Sequence, residues 1–121
     1  MKILVVEDEN VIRENTLEML EIKGFDAIGA INGNDAVEKL NQFNPDIIFC
    51  DIMMPQMDGF EFLKWFRSKQ NNSTTPFIFL SAKAEQEDRD NAMSLGANDF
   101  LLKPFSFSDL FDVINKYTKK D

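Results

Sequence analysis

Charged and hydroxyl side chains directly follow short apolar segments at four places in the chain. They are Glu7 and Asp8, Asp51, Ser81 and Lys103. Three carboxylates held a few ångströms apart repel one another, and this repulsion raises their pKa values unless a cation joins them. Oxygen ligands without histidine or cysteine favour a hard cation, and Mg²⁺ held by two carboxylates and water fits best. The pattern therefore predicts a Mg²⁺ site with an ammonium group and a hydroxyl donor beside it.

Asp51 is the natural nucleophile of this set. It stands alone after a uniformly apolar segment, whereas Glu7 and Asp8 are adjacent and can share the metal. A carboxylate that attacks a phosphoryl donor forms an acyl phosphate. Mg²⁺, the ammonium of Lys103 and the hydroxyl of Ser81 are suited to stabilise a phosphoryl group during transfer. Taken singly, each residue is more often a helix cap or a loop starter. Their presence at four strand ends indicates one common site.

The composition excludes several other kinds of chemistry. The 121 residues include no histidine and one cysteine, which removes histidine bases, Ser-His-Asp triads, histidine-ligated zinc, intramolecular disulfides and cysteine metal clusters. With 13 Lys and Arg against 21 Asp and Glu the net charge is −8, which disfavours direct binding to nucleic acid or to anionic membranes. No apolar segment is long enough for a signal peptide or a membrane span. We expect one cytoplasmic domain over residues 1–121, with Cys50 reduced and buried.

Short apolar segments alternate with helical patterns along the chain. The apolar segments predict strands over residues 3–6, 25–31, 47–50, 77–80 and 100–102. The helical patterns predict helices over residues 12–24, 36–43, around 62–66, over 85–95 and from 106 onward. Such alternation requires crossover connections, and it predicts a doubly wound α/β fold of the flavodoxin-like kind with a five-stranded parallel sheet, order 2-1-3-4-5, and five helices. In such sheets ligands bind beyond the carboxyl ends of the strands, where the polar residues stand.

Four short motifs are weak signals singly, but their order and spacing on alternating strands and helices are specific for one kind of domain. They are Val5-Val6-Glu7-Asp8, Cys50-Asp51-Ile52-Met53-Met54-Pro55-Gln56-Met57-Asp58-Gly59, Ser81-Ala82 and Lys103-Pro104-Phe105. Together they resemble the receiver domain of two-component response regulators, and the resemblance covers the whole chain. It implies a signalling switch that catalyses only its own phosphorylation and dephosphorylation. Such a module is not an enzyme, because it has no diffusible substrate.

The resemblance also implies roles for individual residues. Asp51 would accept a phosphoryl group from a sensor histidine kinase or a histidine phosphotransfer protein. Asp8 and Asp51 would bind Mg²⁺ directly with the backbone carbonyl of Met53. Glu7 would act through metal-bound water. Lys103 would pair with Asp51 or its phosphate, and its bond to the following proline would be cis.

Ser81 and Phe100 would form the switch. Ser81 would donate a hydrogen bond to a phosphoryl oxygen, and the ring of Phe100 would turn inward as Ser81 moves. Phe100 lacks the hydroxyl of a tyrosine, so ring packing alone would drive the change. The face formed by the fourth helix, fifth strand and fifth helix would then bind a downstream effector protein or domain. The sequence leaves open the cognate kinase, the output, a phosphorylation-dependent homodimer, and whether the chain stands alone or begins a longer regulator.

Two other functions fit parts of the sequence less well. A phosphohydrolase that uses an aspartyl phosphate usually has a second acid two residues after its nucleophile, where this chain has Met53, and it needs a cap or pocket for its substrate. A small flavin protein of the same fold needs a phosphate loop rich in Ser, Thr or Gly after the first strand. The acidic segment Glu7-Asp8-Glu9 would repel the flavin phosphate. The switch is therefore the favoured function.

Overall fold

Five strands and five helices alternate in the computed structural model, which describes residues 1–54, 57–69, 74–82 and 86–118, with residues 86–88 described by their backbone alone. In chain order they are β1 (Lys2–Val6), α1 (Asn10–Ile22), β2 (Asp26–Ala30), α2 (Gly33–Lys39), β3 (Ile47–Asp51), α3 (Gly59–Ser68), β4 (Phe77–Ser81), α4 (Gln86–Ser94), β5 (Asp99–Leu102) and α5 (Phe107–Thr118). The strands form one parallel sheet in the order β2-β1-β3-β4-β5, which confirms the predicted fold class.

The sheet separates two apolar layers. Leu20 of α1 and Leu110 of α5 pack against one face, while Ala36 of α2, Phe62 of α3 and Ala92 of α4 pack against the other. Strands β1, β3 and β4 supply both layers because successive side chains of a strand point to opposite faces. Their apolar residues are fully buried, which explains why these segments are apolar throughout. Polar side chains of these three strands are left to their ends.

Several helix boundaries differ from the predicted ones, most clearly in α2 and α3. Helix α2 ends at Lys39, whereas the apolar pattern predicts helix as far as Phe43. The chain turns after Leu40, and Phe43 packs against the core from the connection. Helix α3 already begins at Gly59. The predicted first residue of the fourth helix, Glu85, lies outside the described residues, as do residues 55–56 of the Asp51 motif.

The buried face of α1 contains the predicted Thr16 and Leu20 together with an arginine. Arg13 is buried beside them, while Ile12, which the apolar spacing also predicts on this face, is only half-buried. Arg13 fits against the sheet because Gly29 of β2 has no side chain to obstruct it. Among the helices of the described residues, none is both long and apolar enough to cross a membrane.

Candidate functional site

The polar residues singled out above lie at the carboxyl ends of four strands and share one edge of the sheet. Glu7 and Asp8 follow β1, and Asp51 ends the neighbouring strand β3. One carboxylate oxygen from each of these three residues lies within 4.8 Å of the other two. Ser81 ends β4, and its carbonyl accepts a hydrogen bond from the backbone N–H of Lys103 at 2.9 Å. The predicted convergence of these side chains therefore has a direct cause in the strand order.

A tight connection fixes the backbone after Asp51. A Cβ at Gly59 would lie 2.5 Å from the carbonyl oxygen of Asp51 and 2.8 Å from the Cα of Ile52, so only glycine fits this position without a shift. The N–H of Gly59 donates to the carbonyl of Ile52 at 2.8 Å. Asp58 and Glu61 form a capping box that begins α3 at this point. The motif after Asp51 thus packs the start of a helix against the end of the central strand.

Lys103 joins two of the carboxylates. Its Nζ lies 2.5 Å from Oε1 of Glu7 and 3.4 Å from Oδ1 of Asp51. The side chain of Lys103 is 13% exposed and that of Glu7 is completely buried, so water screens this contact weakly. The peptide bond between Lys103 and Pro104 is cis, as the family resemblance implies.

Burial dominates the ionisation of these groups. It raises the pKa of Glu7 from 4.5 to about 7, against the lowering effect of the hydrogen bond from Lys103. The pKa of Asp51 is also raised, chiefly by burial, although the charge of Lys103 opposes the shift. Burial alone would lower the pKa of Lys103, but the hydrogen bond to Glu7 and the charge of Asp51 outweigh it and the pKa is raised. Burial therefore disfavours the charged forms of these carboxylates, and the single ammonium of Lys103 does not fully compensate for it.

A cleft of about 530 Å³ opens above this cluster. It is lined by Asp8, Glu9, Asp51, Ile52, Met53, Phe60, Ser81, Ala82 and Lys103. Glu7 is completely buried and lies outside this lining. The side chain of Met53 is 80% exposed. Cys50 is a buried free thiol whose pKa burial raises well above its ordinary value, which agrees with a packing role.

Phe100 does not line the cleft, and two other aromatic rings connect it to the cleft. It pairs in register with Phe79 on β4, and the two ring centroids are 5.7 Å apart. Phe79 also packs edge-on against Phe60 of the cleft, with centroids 5.3 Å apart. The guanidinium of Arg89 on α4 lies 5.8 Å from the ring centre of Phe100. Sequence reasoning missed these three neighbours, although Phe79 stands two residues before Ser81 and so shares its face of β4.

Known proteins share this arrangement. Residues 3–115 match the family described as the response regulator receiver domain. The chain belongs to this family. The phosphate regulon transcriptional regulatory protein PhoB of Escherichia coli (strain K12) is 39% identical over 109 residues, which are 90% of this chain and 48% of PhoB. The chain thus spans about half the length of this relative.

Solved receiver structures superpose closely on this chain. The chemotaxis protein CheY4 of Vibrio cholerae has a TM-score of 0.93 at 30% identity, covering 96% of this chain and 97% of that chain. The receiver domain of sensor histidine kinase PA1611 from Pseudomonas aeruginosa PAO1, with a magnesium ion coordinated in its active site cleft, has a TM-score of 0.87 at 32% identity, covering 96% and 94%. Receiver domains are signalling modules of two-component systems, and phosphorylation on aspartate and Mg²⁺ binding are general in the family.

Proposed function

We propose that this receiver domain accepts a phosphoryl group on Asp51 in the presence of Mg²⁺ and changes its binding to partners through Ser81 and Phe100. The observation that supports it best is the meeting of three carboxylates and the Lys103 ammonium at one edge of the sheet, beneath an open cleft. The phosphoryl donor would be a sensor histidine kinase or a histidine phosphotransfer protein. A downstream effector protein or domain would bind the changed surface.

The donor set of the cluster fits Mg²⁺. All of its side-chain ligands are carboxylate oxygens, which hard divalent cations prefer, and burial raises the pKa of both Glu7 and Asp51. A divalent cation would offset both the desolvation of these carboxylates and the repulsion between them. Asp8 and Asp51 would hold the ion together with the backbone carbonyl of Met53, and Glu7 would act through water. When bound, Mg²⁺ supplies positive charge to the phosphoryl oxygens.

Asp51 would act as the nucleophile. One of its carboxylate oxygens attacks the phosphorus of the phosphohistidine, the P–O bond forms as the P–N bond breaks, and the imidazole leaves. The ammonium of Lys103, 3.4 Å from Asp51, would offset the negative charge of the transferred group. Ser81, at the end of the adjacent strand, would donate its hydroxyl to a phosphoryl oxygen.

Phosphorylation would reach the surface of the domain through aromatic packing. The acyl phosphate carries nearly two negative charges where the Asp51 carboxylate carried one. The movement of Ser81 would change the packing of Phe79, which lies two residues earlier on β4 and contacts Phe100. Because Phe100 is half-buried between Phe79 and Arg89, it would take a second position at small cost. The face of α4, β5 and α5 would change with it.

Intact mass after incubation with acetyl phosphate and Mg²⁺ tests the phosphorylation step. We expect one phosphoryl adduct on the wild type, none with EDTA and none on Asp51→Asn. The matched control is Asp58→Asn, because Asp58 caps α3 and does not line the cleft, and this variant should be labelled like the wild type. An adduct that persists on Asp51→Asn would contradict the assignment, and so would an unlabelled wild type under conditions that label a known receiver.

Hydrogen exchange tests the switch. On phosphorylation, the hydrogen-exchange rates of α4, β5 and α5 should change in the wild type. Phe100→Ala should be phosphorylated to the same extent, but its exchange rates in these elements should stay unchanged. Phe107→Ala is the control, since Phe107 is an exposed aromatic on α5 whose ring packs against Phe111. An unchanged exchange response in Phe100→Ala would remove Phe100 from the switch.

A further inference from the structure

Arg13 is a buried charged residue that phosphoryl chemistry does not use directly. It lies in the first turns of α1 and is 9% exposed. Its Nη1 donates to the carbonyl oxygen of Glu7 at 2.7 Å, and its Nη2 donates to Oδ1 of Asn10. Glu7 directly follows β1 and Asn10 begins α1, so the two acceptors flank the acidic connection that carries Asp8. The guanidinium is therefore directed at the backbone of the acidic segment.

Gly29 of β2 provides the space for this side chain. A Cβ at Gly29 would lie 3.0 Å from Cδ and 3.2 Å from Cγ of Arg13, and 3.0 Å from Cδ1 of Leu17. Gly29 pairs in register with Val5, two residues before Glu7. The aliphatic part of Arg13 thus packs over the edge strand, and its guanidinium reaches the end of β1.

Glu7 is consequently held by both of its backbone groups. Its N–H donates to the carbonyl of Ala30 on β2 at 2.9 Å, and its carbonyl accepts from Arg13. With both groups held, the peptide planes on either side of Glu7 have little freedom to rotate. The side chain of Glu7 is thereby aimed at Lys103 and Asp51, and Asp8 is presented to the cleft.

Burying the guanidinium of Arg13 costs free energy, which indicates that its contact with the carbonyl of Glu7 serves a function. A buried charge destabilises a protein unless its donors are satisfied, and leucine or methionine would fill the same helix position without that cost. We propose that Arg13 is a positioning residue for the Mg²⁺ site, acting through the backbone of Glu7 to place the carboxylates of Glu7 and Asp8. This inference rests on the proposed function, since it assumes that the acidic cluster binds Mg²⁺.

Mg²⁺ binding by Arg13→Met tests the proposal. Methionine keeps the packing over Gly29 and removes both hydrogen-bond donors. We expect the dissociation constant for Mg²⁺, measured by isothermal titration calorimetry, to rise by about tenfold, as when other residues that orient metal ligands are replaced. The Mg²⁺ concentration that gives half-maximal labelling by acetyl phosphate should rise equally. The rate at saturating Mg²⁺ should stay near that of the wild type, because Arg13 does not touch the phosphoryl group.

Arg67→Met is the matched control. Arg67 donates to the carbonyls of Thr75 at 2.6 Å and Gly96 at 2.8 Å, near the amino ends of β4 and β5 and so at the opposite edge of the sheet. Its loss should lower the free energy of unfolding and leave Mg²⁺ affinity unchanged, which separates positioning from general stability. Arg13→Lys retains the charge on a single donor nitrogen and should have an intermediate Mg²⁺ affinity. This second variant serves the test if Arg13→Met does not fold.

The outcomes separate this proposal from the proposed function. Mg²⁺ binding of wild-type strength in the folded Arg13 variants would overturn the positioning role while leaving phosphorylation of Asp51 intact. Equal losses of Mg²⁺ affinity in Arg13→Met and Arg67→Met would also overturn it, because the effect would then be general. A wild-type protein that binds no Mg²⁺ would overturn both the proposed function and the role of Arg13.

Discussion

Polar groups are paired differently at the two edges of the sheet, where the amino ends and the carboxyl ends of the strands lie. At the amino ends of the strands, Oδ1 of Asn98 accepts hydrogen bonds from the N–H of Phe77 at 2.9 Å and from Arg67 at 3.1 Å. The carbonyl of Asn98 accepts from the hydroxyl of Tyr117 at 2.9 Å. Donors and acceptors meet in pairs there. At the carboxyl ends, three carboxylates crowd together and Lys103 pairs with two of them.

This difference separates a structural network from a site. A network in which donors and acceptors are paired is complete without a ligand, and its removal costs stability alone. A cluster with surplus charge of one sign lowers stability by itself, and this cost falls when a cation or a proton binds. The surplus of carboxylates beneath an open cleft therefore marks the carboxyl edge as the functional one, and the following predictions test that contrast.

Replacement of Lys103 should have the largest effect. Lys103→Met leaves Glu7 and Asp51 buried without their cation, and the free energy of unfolding in EDTA at pH 8 should fall by about 3 kcal/mol. Labelling by acetyl phosphate should slow by about 100-fold at saturating Mg²⁺. Urea denaturation and intact mass measure the two effects. Lys64→Met, at an exposed position of α3, should change neither. Labelling of Lys103→Met at close to the wild-type rate would contradict the role of the ammonium.

Replacement of Asn98 should affect stability alone. Asn98→Ala leaves the N–H of Phe77 without its side-chain acceptor and removes one acceptor of Arg67, so the free energy of unfolding should fall by about 2 kcal/mol. Labelling and Mg²⁺ affinity should remain those of the wild type. Asn115→Ala, at an exposed position of α5, serves as the control in urea denaturation. A slower labelling rate in Asn98→Ala would show that the two edges are coupled.

The pH dependence of stability should show the smallest effect. Because burial raises the pKa of Glu7 from 4.5 to about 7, the folded metal-free protein binds more protons than the unfolded chain in this range. Its free energy of unfolding should therefore fall as the pH rises from about 4.5 to about 7. Glu7→Gln should flatten this slope in urea denaturation in EDTA, because glutamine does not titrate. A slope equally steep in Glu7→Gln would assign it to another group.

Much of the fold could be read from local patterns. Strands β1, β3 and β4 are apolar throughout because helices cover both faces of the sheet, and that requirement leaves a clear mark on the sequence. The convergence of Asp51 and Lys103 could also be predicted, since parallel strands end at one edge. The end of α2 at Lys39 was missed because Phe43 continues the apolar spacing while packing from a connection.

Residue types that repeat along whole segments were enough to predict the layer architecture and the edge of the sheet at which the charged residues meet. The burial of Arg13 and its hydrogen bond to Glu7 could not be predicted in this way, since an arginine on a helix face is ordinarily solvated and the space above Gly29 lies on another strand. The ring contacts of Phe100 were likewise decided by neighbours distant in sequence. The apolar spacing within a segment predicts which residues are buried, whereas the packing between segments determines which residues each of them contacts.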